Sequence, residues 1–223
     1  MATITFHSMA DSAYLWTAML VADEKAIDYD LALLVHGSDE HLRLHPFGKM
    51  PVLQHGDVFL YETLAIAHYL DAAFEGPPLQ PADPLLQAEM LRWVSVVNAY
   101  VFPIMNRFVK ERLVRPAWGF DADQAFLSSA REPLLMQIRL IDAAVGAGGY
   151  LVGGRLTLAD CFLLPHLLFF GRTPEGEALL RNAGGVAGWL SRMTGRESYA
   201  GSAMRRAYDV FHKLSAPTPQ LWS

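Results

Sequence analysis

Residues 45–70, HPFGKMPVLQHGDVFLYETLAIAHYL, constrain the fold of this chain more than any other stretch. Pro51 opens the apolar run Val52-Leu53, and a proline has no N–H to give to a sheet, so it belongs at the start of a strand, on an edge or at a bend. His55-Gly56-Asp57 has the composition of a tight hairpin turn, and Val58-Phe59-Leu60-Tyr61 reads as the returning strand. Leu64, Ile66, Ala67 and Leu70 then recur at helical spacing, and Thr63 in front of them is a residue type that caps helices. A hairpin therefore runs straight into a helix at Glu62-Thr63. About 5–6% of X-Pro bonds in folded proteins are cis, so the residues alone leave the isomer at Met50-Pro51 open.

The junction has a chemical consequence. The first N–H groups of a helix and the positive end of its dipole favour a carboxylate, and the Glu62 side chain beside them favours an ammonium group. A ligand with both charges on one carbon, an α-amino acid head group, satisfies both.

Upstream, Ile4-Thr5-Phe6 has strand character, the polar interval 7–12 follows, and Tyr14, Leu15, Ala18, Met19 and Ala22 form an amphipathic helical pattern. Residues 28–35 read as a second strand, and Ser38 is placed to cap a short helix through Leu44. The order is βαβα followed by ββα. Downstream, residues 75–84, EGPPLQPADP, concentrate prolines that stiffen the chain and break helix, which marks a domain boundary. Leu86, Met90, Val94, Val97 and Val101 begin a helical region that Asp83-Pro84 can start and Pro103 should kink or end. A second long helix is expected over 123–145, with Pro133 as a bend and a stop at Gly146-Ala147-Gly148-Gly149. Thr157 and Asp160 have the spacing of a capping box, with Leu156 and Cys161 as its hydrophobic staple, so the lone cysteine reads as a buried, inert thiol. Further helices are expected over 185–194 and 198–214, with a proline-containing tail at 216–223.

Composition narrows the function. With 223 residues, 52% of them hydrophobic, the chain can bury a full core in two modest domains. A net charge of −5 without a basic stripe argues against nucleic acid as a partner. The N-terminus lacks a basic leader region and the apolar run 163–170 is too short to span a bilayer, so a soluble, cytoplasmic protein without a membrane partner is expected. One cysteine excludes an internal disulfide framework and a CxxC redox centre. His41, His45, His55 and His68 show no metal-ligand spacing, so no metal is expected.

The pattern Pro46-Phe47-Gly48-Lys49-Met50-Pro51-Val52-Leu53, then Glu62-Thr63-Leu64-Ala65-Ile66 and Tyr69-Leu70, resembles the glutathione-binding half of the cytosolic glutathione S-transferase family. Residues 153–160, GGRLTLAD, resemble the C-domain signature of the same family. The first loop is similar to serine-type, zeta-like and bacterial-type members, although Ala13 and Tyr14 stand where those members continue with serine and cysteine. The resemblance implies an α/β thioredoxin-like glutathione-binding domain over 1–76, a linker over 77–84 and an all-α helical C-terminal domain over 85–223. It implies a cis Pro51, with the Met50 backbone pairing with the cysteinyl part of glutathione like an added strand. It further implies Glu62 and Thr63 on the γ-glutamyl end, Lys49 and His36 as candidates for the glycine carboxylate, and a homodimer. The second substrate, a small hydrophobic electrophile, would meet an apolar cleft for which Met9, Tyr100, Met105, Phe108 and Trp118 are the candidates, each also readable as core.

Chemistry on glutathione needs a thiolate, and an unperturbed cysteine thiol, with a pKa near about 8.5, is mostly protonated at neutral pH. A hydroxyl that donates to the sulfur contributes roughly 1.5–3 kcal/mol, or about one to two pKa units. Ser8, Ser12 and Tyr14 are the hydroxyl candidates, with Ser12 placed by the resemblance and a plain helix cap as its alternative role. The expected function is a glutathione transferase engaged in detoxification, with glutathione as co-substrate. A non-catalytic binding or assembly module on the same fold, a glutathione-dependent isomerase and a disulfide reductase stay open as alternatives.

Overall fold

The computed structural model describes residues 3–200, which form two compact units: residues 3–79 with the segment 197–200, and residues 80–196. In the first unit, β1 (Ile4–Ser8) runs parallel to β2 (Tyr29–Leu33) and antiparallel to β3 (Val52–His55), which pairs antiparallel with β4 (Val58–Tyr61). The strand order is β2-β1-β3-β4. The parallel pair needs a crossover, and α1 (Ala13–Glu24) supplies it. A short α2 (Asp39–Leu44), capped by the Ser38 hydroxyl as expected, leads to β3, and α3 (Thr63–Ala73) follows β4 and packs on α1. This is the thioredoxin-like order. Gly56 turns the hairpin at φ +59°, and β3 starts at Val52, one residue after Pro51, so the missing proline N–H leaves no gap in the ladder. The Met50-Pro51 peptide is cis.

Two expectations change here. Every residue of α1 from Leu15 to Ala22 is buried, so the helix is apolar all round rather than amphipathic. Its polar atoms are satisfied locally: the Trp16 indole N–H donates to the Ala10 carbonyl at 2.8 Å and the Thr17 hydroxyl to the Ala13 carbonyl at 3.3 Å. Thr63 does not cap α3. Glu62 takes the cap position at φ +69°, with no side-chain cap bond, and Thr63 is already the first helical residue.

The far ends of α1 and α3 are locked by one ammonium group. Lys25 Nζ lies 3.2 Å from the Asp71 carboxylate and 3.1 Å from the Asp71 carbonyl, with the carbonyls of Gly76 and Pro77 each at 3.4 Å. The same carboxylate oxygen accepts the Leu79 N–H at 2.9 Å. Both side chains are almost fully buried, at 3% and 5% exposure. Gly76 sits at φ +122° with its missing Cβ only 3.3 Å from Lys25 Cα, which is why this exit from the unit needs glycine.

In the second unit, Asp83 accepts the N–H groups of Leu85 and Leu86 and starts α4 (Pro84–Val96). The helix does not end at Pro103, where a kink or an end was expected. A wide π-turn over Val97–Val101 precedes α5 (Phe102–Val109), and a second over Lys110–Val114 precedes α6 (Arg115–Ala117). Each wide turn lies just ahead of a proline, Pro103 and Pro116. A proline ring collides with the carbonyl four residues back and offers no N–H to it, so the chain widens by one residue there instead of breaking. The Gln137 amide donates to the Tyr100 carbonyl inside the first wide turn at 2.9 Å.

The single helix expected over 123–145 is two, α7 (Gln124–Ser129) and α8 (Arg131–Gly148), with the break at Ala130. Pro133 therefore falls in the first turn of α8, where a missing N–H loses nothing, and is not a bend. Gly149 ends α8 in the left-handed conformation at φ +78°. The next helix, α9 (Leu158–Phe170), is buried along nearly its whole length and forms the centre of this unit. Asp160 in its first turn accepts from the Thr157 N–H (3.0 Å) and hydroxyl (3.1 Å), the Leu151 N–H (3.0 Å) and the Trp189 indole (2.9 Å). Burial pushes the Asp160 carboxyl up, and these four donors oppose it. Cys161 is fully buried beside it. Two further helices, α10 (Pro174–Asn182) and α11 (Gly184–Thr194), complete the unit. The last described helix, α12 (Glu197–Ala200), belongs to the first unit, where the Ser198 hydroxyl donates to Glu24 of α1. Most of the helix expected over 198–214, and the tail at 216–223, lie outside the described residues.

Two measurements check this account. Lys25→Ala leaves the Asp71 carboxylate buried without its counter-charge and is expected to remove about 3–5 kcal/mol of stability, read from denaturant unfolding. Glu111, 1% exposed, is pushed up by burial. The Asp123 N–H (2.7 Å), Arg107 and Arg115 (3.2 Å) more than offset this and hold its carboxyl below the ordinary 4.5. A depressed folded-state pKa gives stability that is full above about pH 4.5 and lost as pH falls through the lower folded value. Glu111→Gln is expected to flatten that acid limb in a pH series of unfolding midpoints.

Candidate active site

Four segments of the first unit carry the predicted residues: the loop before α1, the turn before α2, residues 45–51 and the start of α3. Ser12 is the N-cap of α1, and its Oγ accepts the Leu15 N–H at 3.3 Å. Because this bond uses a lone pair and not the hydroxyl proton, the O–H is left to donate elsewhere. The loop that carries Ser12 is held from both sides: the Met9 N–H meets the Met50 sulfur at 3.1 Å, and the Trp16 indole holds the Ala10 carbonyl. The Met9 end of this loop is thereby tied to Met50.

The other two hydroxyls are placed differently. Ser8 lies on the buried face of β1 at 1% exposure, and its hydroxyl has no hydrogen-bond partner among the described residues. Tyr14 is within electrostatic reach of Glu62, and burial first, then the Glu62 charge, pushes its hydroxyl well above the usual phenol value. It is a fully protonated phenol and a weaker acid than tyrosine in water.

At the start of α3, the positive φ of Glu62 is an uncommon state for a residue with a Cβ, and such states cluster at functional sites. No side chain caps the helix, so the leading N–H groups keep the positive end of the dipole open to a ligand. Thr63 is 8% exposed, while the Glu62 side chain is 67% exposed with its Oε1 4.0 Å from His45 Nε2. Lys49 and His36 are both exposed. They are linked through His41, which is fully buried: His41 Nδ1 accepts the Gly37 N–H at 3.0 Å and its Nε2 donates to the Lys49 carbonyl at 3.1 Å.

The second-substrate candidates scatter. Met9 and Trp118 are half-buried, Tyr100 is 62% exposed, and Met105 and Phe108 are packed in the core of the helical unit at 1% and 2% exposure. A cleft of about 480 Å³ does open in that unit between Arg112, Leu127, Arg131, Leu134 and Glu175, with an edge of Phe108 in its wall. Among the described residues no group of three His, Cys, Asp or Glu side chains is placed to hold a metal ion.

The N-terminal domain model of glutathione S-transferases matches residues 6–78, and the C-terminal domain model matches residues 88–192. Glutathione S-transferase 3 of Zea mays is 32% identical over 75% of this chain and 79% of its own length. The chain belongs to the glutathione S-transferase family. Glutathione S-transferase 4 of Zea mays is 30% identical over 86% of this chain and 88% of its own. A solved structure of glutathione S-transferase I with the ligand lactoylglutathione superposes with a TM-score of 0.82 at 25% identity, covering 94% of this chain and all of that one.

For this glutathione S-transferase, sequence reasoning missed His41 and His45 because these two were weighed only as metal ligands. Two signals were present. The pair is spaced i, i+4 along α2, and His45 precedes Pro46, which restricts it to extended backbone, found at φ −133° and ψ 106°. His41→Ala would orphan both the Gly37 N–H and the Lys49 carbonyl, each at about 1–3 kcal/mol when buried. Hydrogen exchange is expected to show lost protection confined to residues 36–50, with the β1 and β3 amides unchanged.

Proposed function

We propose that the first unit binds glutathione across the Met50-Pro51 segment and the start of α3, and that Ser12 activates its thiol. As a member of its family, the chain is a glutathione transferase, joining glutathione to small electrophilic molecules. The observation that carries the site assignment is the uncapped start of α3 beside an exposed acid at positive φ. The open N–H groups with the Thr63 hydroxyl suit the α-carboxylate of the γ-glutamyl residue, and the Glu62 carboxylate suits its α-ammonium.

The remaining roles follow along the tripeptide. The backbone of Met50, turned by the cis bond to Pro51, offers its edge to the cysteinyl residue in the manner of an added strand. Lys49 and His36, linked through His41, supply positive charge and donors for the glycine carboxylate. In this reading the sulfur lies toward the start of α1. There Ser12 donates its remaining proton to the thiolate, and the helix dipole adds to the effect. Ser12 is favoured over Tyr14 because it sits at the N-cap of α1, at the positive end of the helix, with a hydroxyl proton that the cap bond does not use. Holding thiolate and electrophile together supplies the rest of the acceleration through proximity. Within the first unit, Met9 on the loop before α1 keeps part of its surface exposed, and a hydrophobic electrophile would contact it there. We place the enzyme in the cytoplasm, as a homodimer with a role in detoxification.

Thiolate absorbance against pH, recorded on the glutathione complex of the wild type and of Ser12→Ala, tests the assignment. The wild type is expected to hold the thiol below about 8.5, and the variant to return it upward by about one to two units. The variant also loses a cap worth about 1 kcal/mol, so its unfolding midpoint should fall modestly. Equal pKa values in the two proteins would remove Ser12 from the mechanism.

A further inference from the structure

We infer that His45 is a positioning residue for Glu62, and that its Nε2–H holds the carboxylate where it meets the α-ammonium group of the ligand. The inference rests on the reading of Glu62 as the γ-glutamyl contact. It starts from the contrast between the two side chains. The Glu62 side chain is 67% exposed and, among the described residues, makes no hydrogen bond and no ion pair other than its approach to His45. An exposed glutamate has several rotamers, and ordering it costs conformational entropy.

His45 is the opposite case. Its backbone N–H donates to the His41 carbonyl at 2.9 Å, and its own carbonyl accepts the Gly48 N–H at 2.9 Å. The ring is 1% exposed, packed against Tyr61 at 4.8 Å between centroids and near Phe47 at 6.2 Å. Tyr61 is the residue directly before Glu62. The Phe47 N–H donates to His45 Nδ1 at 3.3 Å, so in the neutral ring the proton is on Nε2, the atom 4.0 Å from Glu62 Oε1. That separation is longer than a hydrogen bond, and a small rotation of the exposed glutamate closes it. A carboxylate can then give one oxygen to His45 and keep the other for an ammonium group.

The charge state of the ring matters to this arrangement. Burial lowers the His45 pKa from 6.5, the neighbouring His41 and Lys49 act in the same direction, and Glu62 opposes them. The imidazole is therefore neutral at neutral pH. A neutral donor orients Glu62 without cancelling its charge, whereas an imidazolium would compete with the ligand for it.

Binding of two ligands to the full chain, measured by titration calorimetry, decides the matter: glutathione, and the same tripeptide with the α-amino group replaced by hydrogen. The wild type is expected to prefer glutathione by about tenfold or more, the loss of a charge-assisted hydrogen bond. His45→Leu, which keeps apolar volume but has no donor, should lose most of that preference while binding the deaminated peptide within about twofold of the wild type. His45→Gln, whose amide reaches the Nε2 position, should restore it. If His45→Leu weakens both ligands equally, His45 is only structural and the inference is overturned. If the leucine variant does not fold, His45→Asn, whose amide stops short of Glu62, takes its place: lost preference supports the inference and retained preference overturns it. Glu62→Gln separates the two readings. If that variant keeps the wild-type preference, the γ-glutamyl role of Glu62 itself fails and this inference fails with it. If Glu62→Gln loses the preference while His45→Leu keeps it, only the inference fails.

Discussion

The first unit depends on the packing of α1 against α3, because the starts of these two helices hold Ser12 and Glu62-Thr63 while their far ends hold Lys25 and Asp71. A helix of 12 residues is about 18 Å long, so a lock at one end fixes the angle from which the other end faces a ligand. Lys25 provides that lock with four oxygen acceptors, one from the Asp71 carboxylate and three from the backbone carbonyls of Asp71, Gly76 and Pro77. A buried ion pair adds little net stability compared with an apolar replacement of the same shape. What it supplies here is direction, because an ammonium surrounded by fixed acceptors has few alternative positions. The apolar burial of α1 from Leu15 to Ala22 supplies the stability that the pair does not.

The predicted ligand groups sit on a more lightly held layer in front of this core. The turn before α2, residues 45–51 and the exposed side of Glu62 have few apolar anchors, and imidazole rings do much of the joining. His41 bridges Gly37 to Lys49, and His45 packs between Tyr61 and Phe47. A neutral imidazole suits this task because it is both donor and acceptor across a rigid ring, so one side chain can satisfy two backbone groups on different segments. Lysine or arginine can only donate, and a carboxylate can only accept.

Much of this architecture was legible in the residues. The hairpin after Pro51, the helix from Thr63, the capping box at Thr157 and Asp160 and the glycine stop after α8 depend on local chemistry, which sequence carries directly. The misread elements share a physical cause, since each turns on a group that the local pattern does not contain. α1 looked amphipathic from the spacing of Tyr14, Leu15, Ala18, Met19 and Ala22, yet Trp16 and Thr17 between them are buried as well, and both find backbone acceptors within the same loop and helix. Pro103 was expected to kink or end the helix, and the helix does not end there, because the chain has the cheaper option of a wide turn, with Gln137 from another helix on the Tyr100 carbonyl. Thr63 looked like a cap because threonine often is one. A glutamate forced to positive φ takes that place, and single-residue preferences give no sign of it.

That glutamate also shows why the site is built from an unfavourable local state. A positive φ at a residue with a Cβ costs of order 1–3 kcal/mol, and glycine at the same point would remove most of the strain. Glycine would also remove the carboxylate. The strain persists because β4 and α3 fix the backbone on either side of one residue, and the core under α3, with Ile66, Ala67 and Leu70 fully buried, holds it there. The turn that costs stability is the same turn that leaves the first N–H groups of α3 without a side-chain cap. A capped helix start would be more stable and would bind an anion less well, because the capping oxygen would already occupy the donors. Strain at Glu62 and open donors at Thr63 are thus two aspects of one arrangement, in which a stable core supports a junction kept short of its own best hydrogen bonding.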